Sequence, residues 1–519
     1  MNLNPFLPHL KPLQVQGPLD QAFAQICYDS RKVKKGDLFV ALRGLQVDGH
    51  VFISKALQQG ASVIVCESLP AGFPSGPTFV QVQNTRQSLA ILASHFYQYP
   101  SCKILSVGIT GTNGKTSSSY LLESILELAG YSPAVFGTIN YRHGQHFIEA
   151  SHTTPESLEL QKMLRDFVNE GAKSLVMEVS SHALLQHRVD EIDFDAALFT
   201  NLSPEHLDFH KNMEDYFAAK CLLFERLLNE SKKEKKYGIF NLDDPYGKRL
   251  AEKKYSYVPC TFSLSKNSGA QLYPSQVSIT LKGIVAEIES PQGKIRCDSA
   301  LVGQYNLSNL LGVVATSLSL GIPKQAIEEG IRVFKKVPGR LEKIENTQGV
   351  TVVVDYAHTP DALTQVLESL KSLQGQEERL KRGKLLVLFG CGGDRDSLKR
   401  PLMGQAVAKL ADFAWVTSDN PRTEDPKKIV DQILPGLKQE GWQENSNYCI
   451  ELDRAAAIRS ILQCSKSGDI ILIAGKGHED YQIIGKKKIH FDDREEVEKF
   501  FKIVPSPLEG EGQGEGTVK

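Results

Sequence analysis

The stretch of residues 104–117, ILSVGITGTNGKTS, decides the fold of the region around it. A short apolar run leads into Gly111-Thr112-Asn113-Gly114-Lys115-Thr116, and apolar residues at helical spacing follow over 121–129. A strand, a glycine-containing loop and a helix in this order are typical of a phosphate-binding loop, because backbone N–H groups and the positive end of the helix dipole meet there. We therefore predict a nucleotide-phosphate site at this point of the chain.

The end of this loop carries two side chains suited to a nucleotide. Lys115 can reach the terminal phosphates, and the hydroxyl of Thr116 can bind Mg²⁺. The sequence departs from the usual loop in one place, because Ile109 stands five positions before Gly114, where a glycine is usual. The alternative is a plain glycine turn beside a surface lysine, but the strand before it and the helix after it favour phosphate binding.

Length, composition and charge are those of an ordinary globular chain. Its 519 residues, of which 41% are hydrophobic and 23% charged, correspond to about three domains of roughly 150 residues. The net charge of −1 and the pI of about 6.9 give no general attraction to nucleic acid or to a membrane surface. We expect no nucleic-acid partner.

The cysteines and the N-terminus indicate where the protein works. Nine cysteines without a CxxC pair predict free thiols in a reducing compartment. The N-terminal stretch MNLNPFLPHLKPLQVQ has three prolines and no continuous apolar core, so it does not read as a secretory signal. Since no apolar run approaches the ~18 residues of a membrane span, we expect a cytoplasmic protein with no membrane insertion.

Strand-like and helical segments alternate along most of the chain, which predicts an α/β fold with largely parallel sheets. We divide it into a small N-terminal α/β domain (1–97), a central P-loop-type parallel-sheet ATPase domain (98–337) and a Rossmann-like C-terminal domain (338–504). A β-rich excursion is expected over 255–300. Residues 505–519 are rich in Gly, Glu and Pro, and we predict that they form a disordered tail.

Polar clusters follow two predicted strands of the central domain. Glu178 lies near the end of the strand 174–179, and His206 belongs to the cluster after the strand 196–200. In open α/β sheets ligands bind outside the carboxyl ends of strands, so we expect both residues beside the phosphate loop. Individually, each cluster can also be explained by helix caps and turns.

Lys220 occupies an unusual place for a lysine. The segment 214–228 is predicted to be a helix, and its apolar stripe surrounds Lys220 on both sides: Tyr216, Phe217, Leu223, Phe224 and Leu227. A charged amine in that position is costly unless it is paired or chemically altered. The alternative is a lysine that extends to the rim of the stripe.

The predicted C-terminal domain carries polar loops after its strands at 351–355, 385–389, 413–417 and 470–474. The glycines at 390–393 imitate a dinucleotide-binding fingerprint, but Arg395 stands where that fingerprint needs its last glycine. We reject a dinucleotide site on this ground.

Taken in order, these motifs resemble those of the Mur ligase family: GTNGKTS, MEVSSH, TNLSPEHLDFH, Lys220, VPGRLE, DYAHTPD and GKGHED. Asp29-Ser30-Arg31, GCGGDRD and Asp419-Asn420-Pro421-Arg422 resemble the branch that adds diaminopimelate. The resemblance runs from about residue 27 to 494. It implies a peptidoglycan-precursor enzyme of the bacterial cell wall, monomeric, which uses ATP to activate the terminal carboxylate of UDP-N-acetylmuramoyl-L-alanyl-D-glutamate as an acyl phosphate. The amine of meso-diaminopimelate then displaces phosphate.

The resemblance also implies the residues that bind ATP: Gly111, Thr112, Asn113, Gly114, Lys115, Thr116, Ser117, Asn306, Arg340, Asp355 and His358. On the residues alone, Asn306 can equally be a helix cap. The implied catalytic residues are Lys115, Glu178, His206 and Lys220, and Mg²⁺ is assigned to Thr116, Glu178, His206 and Lys220. In the family this lysine is carbamylated by CO₂, becoming N6-carboxylysine. Burial favours the reaction, since an unperturbed lysine is neutral only about once in a few thousand molecules at pH 7.

The two remaining ligands are placed by the same resemblance. The N-terminal domain and the central domain share the UDP-sugar dipeptide, through Ser30, Leu45, Gln46, Val47, Thr153, Thr154, Ser180, Gln186 and Arg188. Diaminopimelate is assigned to Arg395, Asp419, Asn420, Pro421, Arg422, Gly475 and Glu479. Arginine can hold the carboxylate of its second amino-acid head by a forked pair of hydrogen bonds and would repel the lone ammonium of lysine.

The sequence leaves three alternative functions to be considered. A lysine-adding Mur ligase and a folylpolyglutamate synthetase are related alternatives, against which Arg422 and the Asp29-Ser30-Arg31 unit count. An ATP-binding switch is an alternative of another class, but it would not need Lys220 together with a separate amino-acid pocket.

Overall fold

Five sheets follow one another along the part of the chain that the computed structural model describes, which is residues 1–44, 47–70, 72, 75–207, 209–376 and 383–503. The tail predicted at 505–519 lies outside these residues. Among them, no helix is long and apolar enough to cross a membrane.

The first sheet lies within the first hundred residues. Its strands are β1 (Gln14–Gln16), β2 (Ile26–Cys27), β3 (Leu38–Val40), β4 (Val63–Cys66) and β5 (Thr78–Gln81), and its helices are α1 (Leu7–Leu10), α2 (Ile53–Gln58) and α3 (Thr85–Phe96). The order is β1-β5-β4-β3-β2, with β1 antiparallel to its neighbour and the other pairs parallel. Every residue of β4 is buried, because apolar clusters cover both faces of the sheet.

An eight-stranded sheet forms the centre of the molecule. Its strands are β6 (Leu105–Thr110), β7 (Pro133–Phe136), β8 (Asn140–His143), β9 (His146–Glu149), β10 (Ser174–Glu178), β11 (Ala196–Phe199), β12 (Tyr237–Asn241) and β13 (Val258–Phe262). The order is β13-β12-β11-β6-β10-β7-β8-β9, parallel from β13 to β7. Since β6 pairs with β10 on one side and β11 on the other, the residues that follow these three strands emerge together at one edge.

The central helices pack on both faces of this sheet. They are α4 (Lys115–Leu128), α5 (Ser157–Asn169), α6 (Ser181–Leu185), α7 (Met213–Leu222), α8 (Pro245–Ala251), α9 (Gln304–Ser319) and α10 (Lys324–Val333). The single helix expected over 214–228 is wrong in detail, because α7 continues as a π-helical segment, Leu223–Leu228. The expected β-rich region contains β13 and a separate antiparallel sheet of β14 (Tyr273–Thr280), β15 (Gly283–Glu289) and β16 (Ile295–Ser299).

The last large sheet has six strands. They are β17 (Glu342–Ile344), β18 (Thr351–Asp355), β19 (Leu385–Phe389), β20 (Phe413–Val416), β21 (Tyr448–Ile450) and β22 (Ile470–Ala474), in the order β17-β18-β22-β19-β20-β21, and all pairs but β17–β18 are parallel. The helices are α11 (Pro360–Gln376), α12 (Lys399–Leu410), α13 (Pro426–Gln439), α14 (Arg454–Cys464) and α15 (Asp493–Ile503). A hairpin of β23 (Tyr481–Ile484) and β24 (Lys487–His490) follows β22. The predicted α/β class is confirmed.

The last sheet region meets the phosphate loop of the central sheet. The Arg340 Nη2 donates to Thr116 Oγ1 at 3.5 Å, and the Asn113 side-chain amide donates to Asp361 Oδ2 at 2.9 Å. The two parts are therefore in contact around the predicted nucleotide site.

Candidate active site

The phosphate loop is a short connection between β6 and α4. Gly114, immediately before α4, has φ +86°, and a Cβ there would overlap the side-chain oxygen of Asn309. Glycine is therefore required both by the left-handed backbone and by the close approach of Asn309. Ile109 is a fully buried core residue of β6. The departure from the usual loop sequence thus falls in the strand and not in the loop itself.

Two lysines point at one oxygen of this loop. Lys115 Nζ donates to the carbonyls of Gly111 at 2.9 Å and Thr112 at 2.8 Å. Lys220 Nζ donates to the same Gly111 carbonyl at 2.8 Å. The Nζ atoms of Lys115 and Lys220 both lie within hydrogen-bonding distance of this oxygen and are therefore close to each other.

Lys220 is buried, with 1% of its surface exposed. The alternative that it extends to the rim of its helix is wrong, because its amine points inward to Gly111 and lies 4.6 Å from the ring centre of Tyr216. Burial, followed by the nearby charge of Lys115, holds the pKa of Lys220 well below its ordinary value, although Glu205 opposes the shift. The environment therefore favours the neutral amine.

Glu178 lies at the end of β10, next to the start of α4. Its Oε2 accepts hydrogen bonds from the hydroxyls of Thr116 at 3.0 Å and Thr138 at 2.9 Å, and its Oε1 accepts from the Thr138 N–H at 3.1 Å. Gly137 leaves room for this carboxylate, because a Cβ there would overlap it. A hydroxyl and a carboxylate, two oxygen ligands of the kind that Mg²⁺ prefers, are thus adjacent.

Glu205 belongs to the site although sequence reasoning did not assign it a role. Its carboxylate lies 3.8 Å from His206 Nε2 and 3.6 Å from His358 Nε2, which belongs to the last sheet region. Burial alone would raise the pKa of Glu205, but the hydrogen bond from His358 and the charges of His206 and Lys115 hold it well below its usual range. The indication available in the sequence was that Glu205 directly precedes His206, a predicted site residue.

The residues present fit a magnesium ion only in part. Within the described ranges, no group of three His, Cys, Asp or Glu side chains is arranged to hold a metal. The predicted set has two such side chains, Glu178 and His206, and the rest is the Thr116 hydroxyl and Lys220. An unmodified Lys220 brings a cation or a neutral amine, so a carbamate there would supply the missing anionic oxygens.

A cavity of about 610 Å³ adjoins the phosphate loop. Its walls come from the loop, the central sheet, α9 and α11, and include Asn113, Gly114, Asn241, Asn309, Gln365 and Ser369. Asn306 is buried behind this wall, where its amide donates to the Val302 carbonyl at 2.8 Å and its oxygen accepts from Asn309 at 3.0 Å. The cavity has the place and size for the nucleoside part of a nucleotide.

Asp355, at the end of β18, is bound to the backbone around it. Its two oxygens accept from the N–H groups of Leu341 at 2.6 Å and Ala357 at 2.8 Å, and burial raises its pKa. These bonds hold the segment that carries Arg340, whose guanidinium lies 4.6 Å from the ring centre of Tyr356. Ser117 is buried in the first turn of α4.

The residues predicted for the dipeptide end of the UDP-sugar gather beside Glu178. Thr153 Oγ1 lies 3.1 Å from the Thr138 hydroxyl, and Thr154 donates to the Glu178 carbonyl at 2.8 Å. Ser180 caps α6, and Arg188 donates to the Thr154 carbonyl at 2.9 Å and to Gln186 Oε1 at 2.8 Å. Ser30 is buried and Val47 exposed in the first sheet region. Leu45 and Gln46 lie outside the described residues.

The predicted amino-acid pocket joins the loops after β19, β20 and β22. Asn420 donates to Glu479 Oε2 at 2.8 Å, and Asp419 lies beside Gly475. Arg422, whose φ is +51°, follows Pro421 and donates through Nη1 to the Gly393 carbonyl at 2.7 Å. Arg395 is more exposed and donates to the Asp394 carbonyl at 3.2 Å. The structure thus brings these seven residues together on adjoining loops.

Three family models match the chain in succession. The Mur ligase family, catalytic domain model matches residues 23–97, the Mur ligase middle domain model residues 109–317, and the Mur ligase, glutamate ligase domain model residues 339–477. The chain belongs to the Mur ligase family.

Particular relatives narrow the comparison. The chain is 43% identical to the UDP-N-acetylmuramoyl-L-alanyl-D-glutamate–2,6-diaminopimelate ligase of Geobacter metallireducens, over 99% of this chain and 100% of the relative. A solved structure of a ligase with the same name is 32% identical and superposes with a TM-score of 0.68, covering 97% of this chain and 99% of the other. The MurF ligase of Thermotoga maritima, solved in complex with ADP, shares the fold at 20% identity, with a TM-score of 0.59 over 93% of this chain and 98% of the other.

Proposed function

We propose that this chain is an ATP-dependent ligase that joins meso-diaminopimelate to UDP-N-acetylmuramoyl-L-alanyl-D-glutamate, in the cytoplasm, as a step of peptidoglycan precursor synthesis. The observation that carries the proposal is the full-length similarity to ligases of that name. It is supported by the convergence of Lys115, Lys220 and Glu178 at the loop that follows β6.

The reaction has to bring two anions together, the γ-phosphate of ATP and the substrate carboxylate. Lys115 lies at the end of the loop and Arg340 reaches Thr116 from the last sheet region, and their positive charges offset the repulsion. The nucleoside occupies the cavity beside Gly114. Thr116, Glu178, His206 and a carbamylated Lys220 would hold Mg²⁺, which supplies charge neutralisation of the phosphates when it is bound.

Carbamylation of Lys220 requires only CO₂ and the neutral amine. The Nζ lone pair forms a bond to the carbon of CO₂, one C=O electron pair moves to oxygen, and the proton that leaves the nitrogen passes to water. The lowered pKa of Lys220 makes the neutral amine available. The product is an anion next to the amine of Lys115, so a neutral group is replaced by one that a protonated Lys115 attracts.

The acyl phosphate is then attacked by the amine of diaminopimelate. The distal amino-acid head, an ammonium and a carboxylate, is held by the loops after β19, β20 and β22. Arg422 and Arg395 bind the carboxylate, and Glu479 with the Gly475 carbonyl receives the ammonium. The first sheet region and the residues beside Glu178 hold the UDP-sugar and its dipeptide. All three predicted domains, 1–97, 98–337 and 338–504, therefore contribute to ligand binding within one chain, and we propose that the enzyme works as a monomer.

The test is an amino-acid-dependence assay with the purified chain. Phosphate release from ATP should require both the UDP-sugar dipeptide and meso-diaminopimelate, and L-lysine should support it only weakly. Comparable kcat/KM values for the two amino acids would assign the chain to the lysine-adding ligases. ATP hydrolysis without any acceptor would favour a nucleotide switch.

A further inference from the structure

The amino-acid pocket contains a buried cation that lies in the motif GKGHED but has no role in the proposed reaction. The side chain of Lys476, which follows β22 after Gly475, is fully buried. Its ammonium lies 3.2 Å from Glu479 Oε2 and 3.5 Å from Asn420 Oδ1, and 5.4 Å from the ring centre of Tyr481. A lysine in such a place is retained at a high desolvation cost, so its charge requires an explanation.

The contacts of Lys476 fix the carboxylate of Glu479. The Oε2 of Glu479 accepts from both Lys476 and Asn420. Among the described residues, no hydrogen bond uses the other oxygen, Oε1, and the side chain keeps 15% of its surface exposed. Asn420 is itself fixed, because its Oδ1 accepts from the Ile483 N–H at 2.9 Å. One oxygen of Glu479 is thus occupied by protein donors, and the other remains for an ammonium from a ligand.

The pairing also sets the charge that a ligand meets. Glu479 alone would attract any cation, including a side chain that ends in a single ammonium. With Lys476 beside it, the pair is neutral as a whole, and Arg422 and Arg395 on the adjoining loops outweigh the one further carboxylate of the predicted set, Asp419. Such a pocket suits a zwitterionic head, which has no net charge, and disfavours a purely cationic one.

We propose that Lys476 is a positioning and specificity-determining residue, which orients Glu479 and makes the pocket select an amino-acid head group over a bare ammonium. The inference rests on the proposed function and goes beyond it. Lys476 acts through Glu479 and Asn420 and does not itself touch the reacting atoms.

The experiment measures kcat/KM for meso-diaminopimelate and for L-lysine, with ATP and the UDP-sugar dipeptide saturating, in the wild type and in Lys476→Met. Loss of a buried positive charge a few ångströms from the ligand should lower the diaminopimelate-to-lysine ratio roughly tenfold. The effect should fall on KM for the amino acid, with KM for ATP unchanged. Lys487→Met removes the same charge from the exposed strand β24 and should leave the ratio at its wild-type value.

Two further variants keep the result decisive. Lys476→Gln removes the charge but keeps a donor toward Glu479, and serves if the methionine variant does not fold. Lys476→Met combined with Glu479→Gln removes both charges, so the ratio should return toward the wild-type value although kcat/KM for diaminopimelate stays low. An unchanged ratio in the folded single variants would overturn the role of Lys476. A wild type that does not use diaminopimelate at all would instead overturn the proposed function.

Discussion

Replacement of Lys220 by methionine separates the chemical role of its nitrogen from its role in packing. Methionine is also long and unbranched and fills the apolar stripe between Tyr216 and Phe224, but it cannot react with CO₂. Because Lys220 is buried and its single hydrogen-bond acceptor in the described chain is the Gly111 carbonyl, the substitution removes one nitrogen and little else.

The two consequences have different sizes. Loss of the hydrogen bond to Gly111 costs about 0.5–1.5 kcal/mol, while the unfavourable burial of a polar amine, about 1–3 kcal/mol, is relieved. The free energy of unfolding should therefore change by no more than about 2 kcal/mol and can increase. Turnover, in contrast, should fall by at least about a hundredfold, which corresponds to roughly 2.7 kcal/mol of lost transition-state stabilisation.

The assay compares wild type, Lys220→Met and Lys211→Met, in which an exposed lysine just before α7 is changed in the same way. Phosphate release is measured in CO₂-depleted buffer and after addition of bicarbonate, and denaturant unfolding is followed in parallel. Bicarbonate should raise the activity of the wild type and of Lys211→Met but not that of Lys220→Met. ¹³C-labelled bicarbonate should give a carbamate resonance in the wild type and in Lys211→Met but not in Lys220→Met. Near-normal turnover of a folded Lys220→Met enzyme would refute the carbamate mechanism.

Three other predictions follow from single positions. Arg422→Ala should raise KM for diaminopimelate by about tenfold or more, because a forked contact to a carboxylate is lost; steady-state kinetics with an unchanged KM would refute this assignment. Gly114→Ala should weaken nucleotide binding, measured by titration with ADP, because the new Cβ overlaps Asn309 and the backbone φ is +86°. Gly130→Ala is the control for backbone strain, since Gly130 has φ +78° and no atom within 4 Å of the added Cβ. Burial, and then the charge of Arg340, lowers the pKa of His478 from 6.5 to about 3, so this ring contributes stability that is complete above pH 6.5 and is lost as pH falls toward 3. The free energy of unfolding of His478→Gln should therefore fall less steeply than that of the wild type across that window, by up to about 1.4 kcal/mol per pH unit. Denaturant unfolding at several pH values measures this, and an equal pH dependence of the free energy in the two proteins would contradict the shift.

The sequence predicted strands better than it predicted helix details. The strands at 351–355, 385–389 and 470–474 are found with the same bounds, because fully buried parallel strands appear as short continuous apolar runs. The break between α7 and its π-helical continuation at Leu223 was not predicted. An apolar stripe has nearly the same spacing in both helix types, so the pattern does not distinguish them.

The site was predictable where a strand end places a side chain, and less so where a side chain acts from a loop. Glu178 was found because it ends a buried strand beside the phosphate loop. Glu205 and Lys476 were not, since each depends on a partner far away in the chain: His358 for Glu205, and Asn420 for Lys476. Burial of a charge among distant partners leaves no periodic mark in a sequence.

The charges around the phosphate loop bear on the order of two proposed steps, the reaction of Lys220 with CO₂ and the binding of the metal nucleotide. With Lys220 neutral, as its lowered pKa favours, Lys115 and Arg340 give two cations against the two carboxylates of Glu178 and Glu205, so the cleft has no net negative charge to attract a divalent cation. The proposed carbamylation of Lys220 would change the count to two cations against three anions at nearly the same positions, and the same cleft would then attract Mg²⁺. Since Lys115 and Lys220 share the Gly111 carbonyl, modification of Lys220 also removes a competitor for that oxygen. Under the proposed function, reaction with CO₂ would therefore precede productive binding of the metal nucleotide, and the burial of Lys220, which keeps its amine neutral, favours that reaction.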